Sequence, residues 1–167
     1  MELDFESFKL YTKEAPVQIL TEDYPSHEWP ISGGWGYTQD EAVVIETDNG
    51  QLGVSLEYRF LEYRTYEEMI VFRPKEDRYA GFRFEREMQF LVSSGEAPNE
   101  RQFDNVIMKV TCFKEADWNM LREDWKAHNG YAGDEEGRKA HMQLHESKKI
   151  TFNITGWFDI TKFYGHY

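Results

Sequence analysis

With a single cysteine, Cys112, among its 167 residues, the chain can form no intrachain disulfide. Small extracellular domains commonly carry several, so their absence favours a reducing compartment, with the cytoplasm as the expected location. Cys112 shares an alternation face with Val106, Met108 and Val110, which reads as a small buried hydrophobe rather than a nucleophile. Long apolar runs are also missing. The longest, such as Ala42-Val43-Val44-Ile45, has four residues. A bilayer span takes about 20, so no membrane partner is expected. The opening Met1-Glu2-Leu3-Asp4-Phe5-Glu6 is acidic where a secretory leader would be basic and then apolar. Positive charge is scarce too, with 19 Lys+Arg against 31 Asp+Glu and a formal net charge of −12. That balance excludes a general nucleic-acid binder, whose affinity for phosphate comes from Lys and Arg.

Aromatic residues, in contrast, are plentiful: 12 Phe, 10 Tyr and 5 Trp, in a chain that is 40% apolar. A disordered segment would be poor in them. The length fits one domain spanning residues 1–167, and at this size roughly 68–70% of the unfolded surface becomes buried. Charge is unevenly spread. Residues 1–50 carry a net −9, residues 51–100 a net −3, and residues 101–167 are balanced. The first 50 residues are therefore either a solvated acidic flank or a surface that attracts a basic partner.

Strand signals dominate the pattern. Asp48-Asn49-Gly50, between Ala42–Glu46 and Leu52–Phe60, predicts a hairpin turn. Residues 61–72 fit a bulged strand or, through Leu56, Phe60, Tyr63 and Ile70, a helix. Phe82, Phe84, Met88, Phe90 and Val92 predict a long strand with one buried face. Phe103–Phe113 returns antiparallel to it, and Ile150–Ile160 gives a last strand with a bulge at Gly156. Phe5–Leu10 and Val17–Leu20 read as short strands. Lys114–Ala127 is the clear helix, with Trp118, Leu121 and Trp125 on its apolar face, and Glu135–Glu146 a weaker one. The expected fold is α+β and β-rich, with seven or eight largely antiparallel strands in a sandwich or partly closed barrel. One main helix, Lys114–Ala127, packs on it.

Motifs for chemistry are mostly failures. Gly33-Gly34-Trp35-Gly36 lacks both the lysine of a phosphate loop and the third glycine of a dinucleotide fingerprint, so no cofactor is expected. His141 and His145 stand one helical turn apart, but Met142 occupies the place of a zinc protease glutamate, and no metal is expected. No catalytic set emerges. Tyr24, Trp29, Trp35 and Tyr37 make an aromatic loop that either plugs one end of the core or offers recognition residues. Arg86 falls on the apolar face of its strand, so it needs either a local bulge or a carboxylate partner, with Glu57, Glu62 and Glu67 as candidates.

The reading that follows is a small acidic binding protein that caps a basic protein partner, in the manner of an inhibitor or toxin-immunity protein. Its contact residues would be Trp29, Trp35, Tyr37, Glu22, Asp23, Glu28 and Arg86. The alternative is a small β-rich enzyme or ligand-binding barrel with an aromatic-lined pocket, in which Arg86, His27 and the carboxylates of residues 57–68 supply polar groups. A subunit of a larger assembly would carry the same features.

Overall fold

The computed structural model describes residues 3–165. It is an α+β fold with four helices and one open, mostly antiparallel five-stranded sheet, 43% helix and 28% strand. The helices are α1 (Pro16–Asp23), α2 (Gly50–Tyr66), α3 (Glu115–Ala127) and α4 (Glu135–Lys148). The strands are β1 (Ile31–Gly33), β2 (Val43–Ile45), β3 (Tyr79–Ser94), β4 (Arg101–Lys114) and β5 (Ile150–Asp159), ordered β1-β2-β5-β4-β3. Only the short β2–β5 contact is parallel. The sheet neither closes into a barrel nor doubles into a sandwich, and the expected seven or eight strands are five among the described residues. Among the described residues, no helix is long and apolar enough to cross a membrane.

Three of the expected strands are helical. Phe5–Phe8 is a 3-10 turn, and Pro16 opens α1 at its first position, where its missing N–H costs nothing. The largest change is at residue 50. The Asn49 side chain accepts a hydrogen bond from Leu52 N at 3.1 Å, so Asp48-Asn49-Gly50 starts α2 instead of turning a hairpin. The helix continues into a π-helical turn over Glu67–Val71. Its buried stripe runs through Gly53, Leu56, Glu57, Phe60, Leu61, Arg64 and Thr65. Helix α2, rather than α3, is therefore the main helix against the sheet. It approaches closely because Gly53 leaves room for the Phe163 ring and Gly156 for Leu61. Gly156 carries no bulge: β4 and β5 pair without a register shift from Phe103↔Asp159 to Cys112↔Ile150.

The bulges lie in β3, between Ala80 and Arg83 and between Arg86 and Met88. The second reverses which side chains face α2. Before it, Phe84 and Arg86 oppose the buried Val110 and Met108. After it, Gln89 opposes the buried Val106, and Met88 and Phe90 turn to solvent. Helix α3 follows β4 directly and meets only the end of the sheet, with Trp118 against Gly81 and Phe113. Leu121 is buried, whereas Trp118 and Trp125 are only partly so. Cys112 is fully buried, and burial pushes its thiol up to about 12.

Candidate functional site

The recognition residues expected from the sequence separate into two groups. Trp29, Trp35 and Tyr37 are 7%, 6% and 7% exposed, so they belong to the core and offer no surface. Their polar atoms are engaged inward: Trp29 Nε1 donates to Tyr24 O, Trp35 Nε1 to Glu14 O, and the Tyr37 hydroxyl to Glu68 Oε2 at 2.8 Å. Glu22, Asp23, Glu28 and Arg86 are exposed. Arg86 sits beside the β3 bulge with its guanidinium 3.9 Å from the centre of the Tyr58 ring. Among the described residues it has no carboxylate at ion-pair distance.

Beside these acids the structure brings together aromatics that sequence reasoning missed. Tyr24 contacts Tyr63 at 4.4 Å between ring centres, Tyr63 contacts Tyr66 at 5.4 Å, and Tyr66 meets Phe82 and Phe84 at 5.5 and 5.8 Å. His27 joins through a 2.9 Å hydrogen bond with the Tyr63 hydroxyl. All are partly exposed. Burial raises the Tyr24 and Tyr66 hydroxyls, with Glu67 and then Asp23 adding to the first and Glu62 to the second. Arg59 donates to Glu28 O, which fixes the 24–29 loop against α2. The available signal was the i, i+3 spacing of Tyr63 and Tyr66, readable only once the segment is known to be helical.

Helix α2 and its π turn also carry charged groups into the interior. Glu57, Arg64, Glu67 and Glu68 are all buried. Burial, reinforced by Asp104 on β4, raises the Glu57 carboxyl to about 10. Burial and the neighbouring Asp23 raise Glu67 to about 8, against the pull of the Tyr24 hydroxyl. Burial likewise lifts Glu68, against Arg64, Tyr37 and Lys9. Tyr37, Arg64 and Glu68, with Lys9, line a cavity of about 240 Å³ between the N-terminal segment and β5.

A larger groove, about 540 Å³, runs between α3 and α4 past Trp118, Trp125, His141 and His145. His141 Nδ1 lies 2.7 Å from Asp124 Oδ2, which also accepts from the Tyr131 hydroxyl. These hydrogen bonds, Tyr131 first, hold Asp124 below the usual carboxylate range. An imidazole oriented by a carboxylate is half of an acid–base arrangement, but no Ser, Thr or Cys lines the groove to act as nucleophile. His145 turns to the Phe113 ring at 4.7 Å. No group of three or more His, Cys, Asp or Glu is placed to hold a metal ion among the described residues.

Fold and sites together define an open-sheet α+β protein with an acid-rimmed aromatic surface and a separate small cavity. No family model, curated protein or solved structure matches the chain.

Proposed function

We propose that this is a binding protein without catalytic function whose acidic face caps a basic protein partner, in the manner of an inhibitor or a toxin-immunity protein. The observation that carries the reading is the ladder Tyr24–Tyr63–Tyr66–Phe82/Phe84, partly exposed and bordered by Glu22, Asp23, Glu28 and Glu62. Carboxylates steer lysines and arginines towards the face, and aromatic rings receive them by stacking and cation–π contact. Tyrosine is favoured as an anchor because it supplies much contact area for little lost side-chain freedom. The contact set therefore moves from the buried Trp29, Trp35 and Tyr37 to Tyr24, just after α1, and to Tyr63 and Tyr66 of α2, while Glu22, Asp23 and Glu28 keep their steering role.

Capture from a native lysate, followed by kinetics on the purified partner, tests this. The partner should be basic. Joint reversal of Glu22, Asp23 and Glu28 to Lys should slow association about tenfold or more at low salt, and added salt should shrink that difference. Tyr66→Ala should speed dissociation. A partner whose binding ignores salt, the triple reversal and Tyr66→Ala would leave the acidic face as a solubility feature only.

A further inference from the structure

Strand β3 is the last strand of the sheet, and its outer edge pairs with no strand among the described residues. An open edge is a template for another strand, and proteins usually guard it with charge, proline or a bulge. The two halves of β3 differ in this respect. The first carries Arg83, Glu85, Arg86 and Glu87 and ends at the bulge. The second, residues 88–94, has neither a charge nor a proline. It exposes large apolar side chains instead: Met88 is 58% exposed, Phe90 48% and Leu91 53%. The chain holds this half-strand in place by itself. Gln89 donates to Asp104 Oδ2 at 2.9 Å and accepts from the Tyr58 hydroxyl at 3.1 Å, and Ser93 donates to Gln102 Oε1 at 2.7 Å. An edge so preformed orders little extra chain when it pairs.

Symmetry and charge point to a second copy of the same strand as the occupant. Two identical antiparallel strands about a two-fold axis set one residue opposite itself and its neighbours opposite each other. About Leu91, this opposes Leu91 to Leu91 on the α2 side of the sheet and Phe90 to Val92 on the other. Gln89 then meets Ser93, Met88 meets Ser94, and no like charges face each other. Just past the ladder, Arg86 of each copy comes beside the 95–100 turn of the other. Among the described residues Arg86 has no carboxylate at ion-pair distance, and the exposed Glu96 and Glu100 of that turn have no cation there. The two ends are therefore complementary in charge. A net charge of −12 opposes association, but −9 of it lies in residues 1–50, on other elements. At about 200 Å² for a large apolar side chain, the exposed parts of Met88, Phe90 and Leu91 from two copies amount to roughly 600 Å². Seven residues of paired backbone from each copy bring the interface to about the 1,000 Å² at which specific association begins.

We propose that the chain forms a reversible two-fold dimer in which residues 88–94 of two copies pair antiparallel about Leu91, joining two five-stranded sheets into one. The surface is independent of the acidic face: Glu22, Asp23 and Glu28 take no part in it.

Sedimentation of the full chain across the micromolar range tests this, and the chain should pass from monomer to dimer as concentration rises. Leu91→Lys alters an exposed residue, sets two cations opposite each other, and should weaken association at least tenfold while the melting temperature shows that the variant is folded. Leu91→Cys reads the register directly. Self-opposed residues of an antiparallel pair have Cα atoms about 4.5–5.5 Å apart, within disulfide reach, so this variant should cross-link two copies under mild oxidation. Ser94→Cys, roughly 20 Å from its counterpart in the same register, should not. A chain that is monomeric throughout, which would leave the edge to a strand of another protein, overturns the proposal. So does a Leu91→Lys variant that associates as the parent does, or a Ser94→Cys variant that cross-links as readily as Leu91→Cys.

Discussion

Glu57→Gln should stabilise this protein at neutral pH, although it alters a fully buried residue of its main helix. The Glu57 carboxyl is raised from 4.5 to about 10, first by burial and then by Asp104, so the folded chain keeps it protonated at pH 7. The unfolded chain does not. Below pH 4.5 both states hold the proton and the group has no effect on stability. Above that, the unfolded state gains by ionising while the folded state cannot, and stability falls by about 1.36 kcal/mol per pH unit until the folded group titrates. From pH 4.5 to pH 7 the loss is on the order of 3 kcal/mol, a large part of an ordinary domain's 5–15 kcal/mol. Glutamine keeps the shape and supplies an N–H towards Asp104, much as the protonated acid supplies an O–H. Urea denaturation of both proteins at pH 4.5, 7 and 8.5 measures the effect. The two should be similar at pH 4.5 and diverge in favour of the variant as pH rises. Parallel curves, or a variant weaker by the same amount at every pH, would refute the reasoning.

Two further outcomes follow from the core. Trp35→Ala should lower unfolding free energy by about 3–5 kcal/mol, the usual cost of removing a buried tryptophan, while leaving partner association rates unchanged in the folded fraction. Denaturant titration and surface plasmon resonance separate the two effects, and unchanged stability or slowed association would show Trp35 to be a surface contact instead. Cys112, whose thiol burial raises to about 12, should stay unreactive towards a thiol reagent in the native protein and react stoichiometrically in denaturant. Rapid native reaction would place it at the surface.

The elements legible in the sequence are those whose buried face is mostly apolar. Strands β4 and β5 alternate apolar and polar residues, and α3 carries Trp118, Leu121 and Trp125 at helical spacing, so period and burial agree. Helix α2 defeats the same test. Its inward stripe and π turn include Glu57, Arg64, Glu67 and Glu68, which hydropathy reads as solvent-facing. With those four discounted, the remaining Val54, Leu56, Tyr58 and Phe60 happen to alternate like a strand. The bulge between Arg86 and Met88 hides differently. The sequence keeps an even alternation through Phe84, Arg86, Met88 and Phe90, and only the pairing with β4 shows that the second half has changed faces.

The same four buried charges explain why the candidate sites were only partly readable. A sequence scan expects recognition groups where charge meets solvent, and it found Glu22, Asp23 and Glu28 there. It ranked Trp29 and Trp35 as anchors because tryptophan is frequent at interfaces, yet a tryptophan whose indole N–H reaches a backbone carbonyl is equally at home inside. The chain uses both of them that way, which leaves the smaller Tyr24, Tyr63 and Tyr66 to the surface. Arg64 reverses the rule again. Each conserving choice for a helix core would replace it with leucine or methionine, because a buried pair rarely outperforms apolar packing. Here its guanidinium donates to Trp35 O and Thr155 O, and so ties α2 to the loop after β1 and to β5 through hydrogen bonds that leucine or methionine could not make.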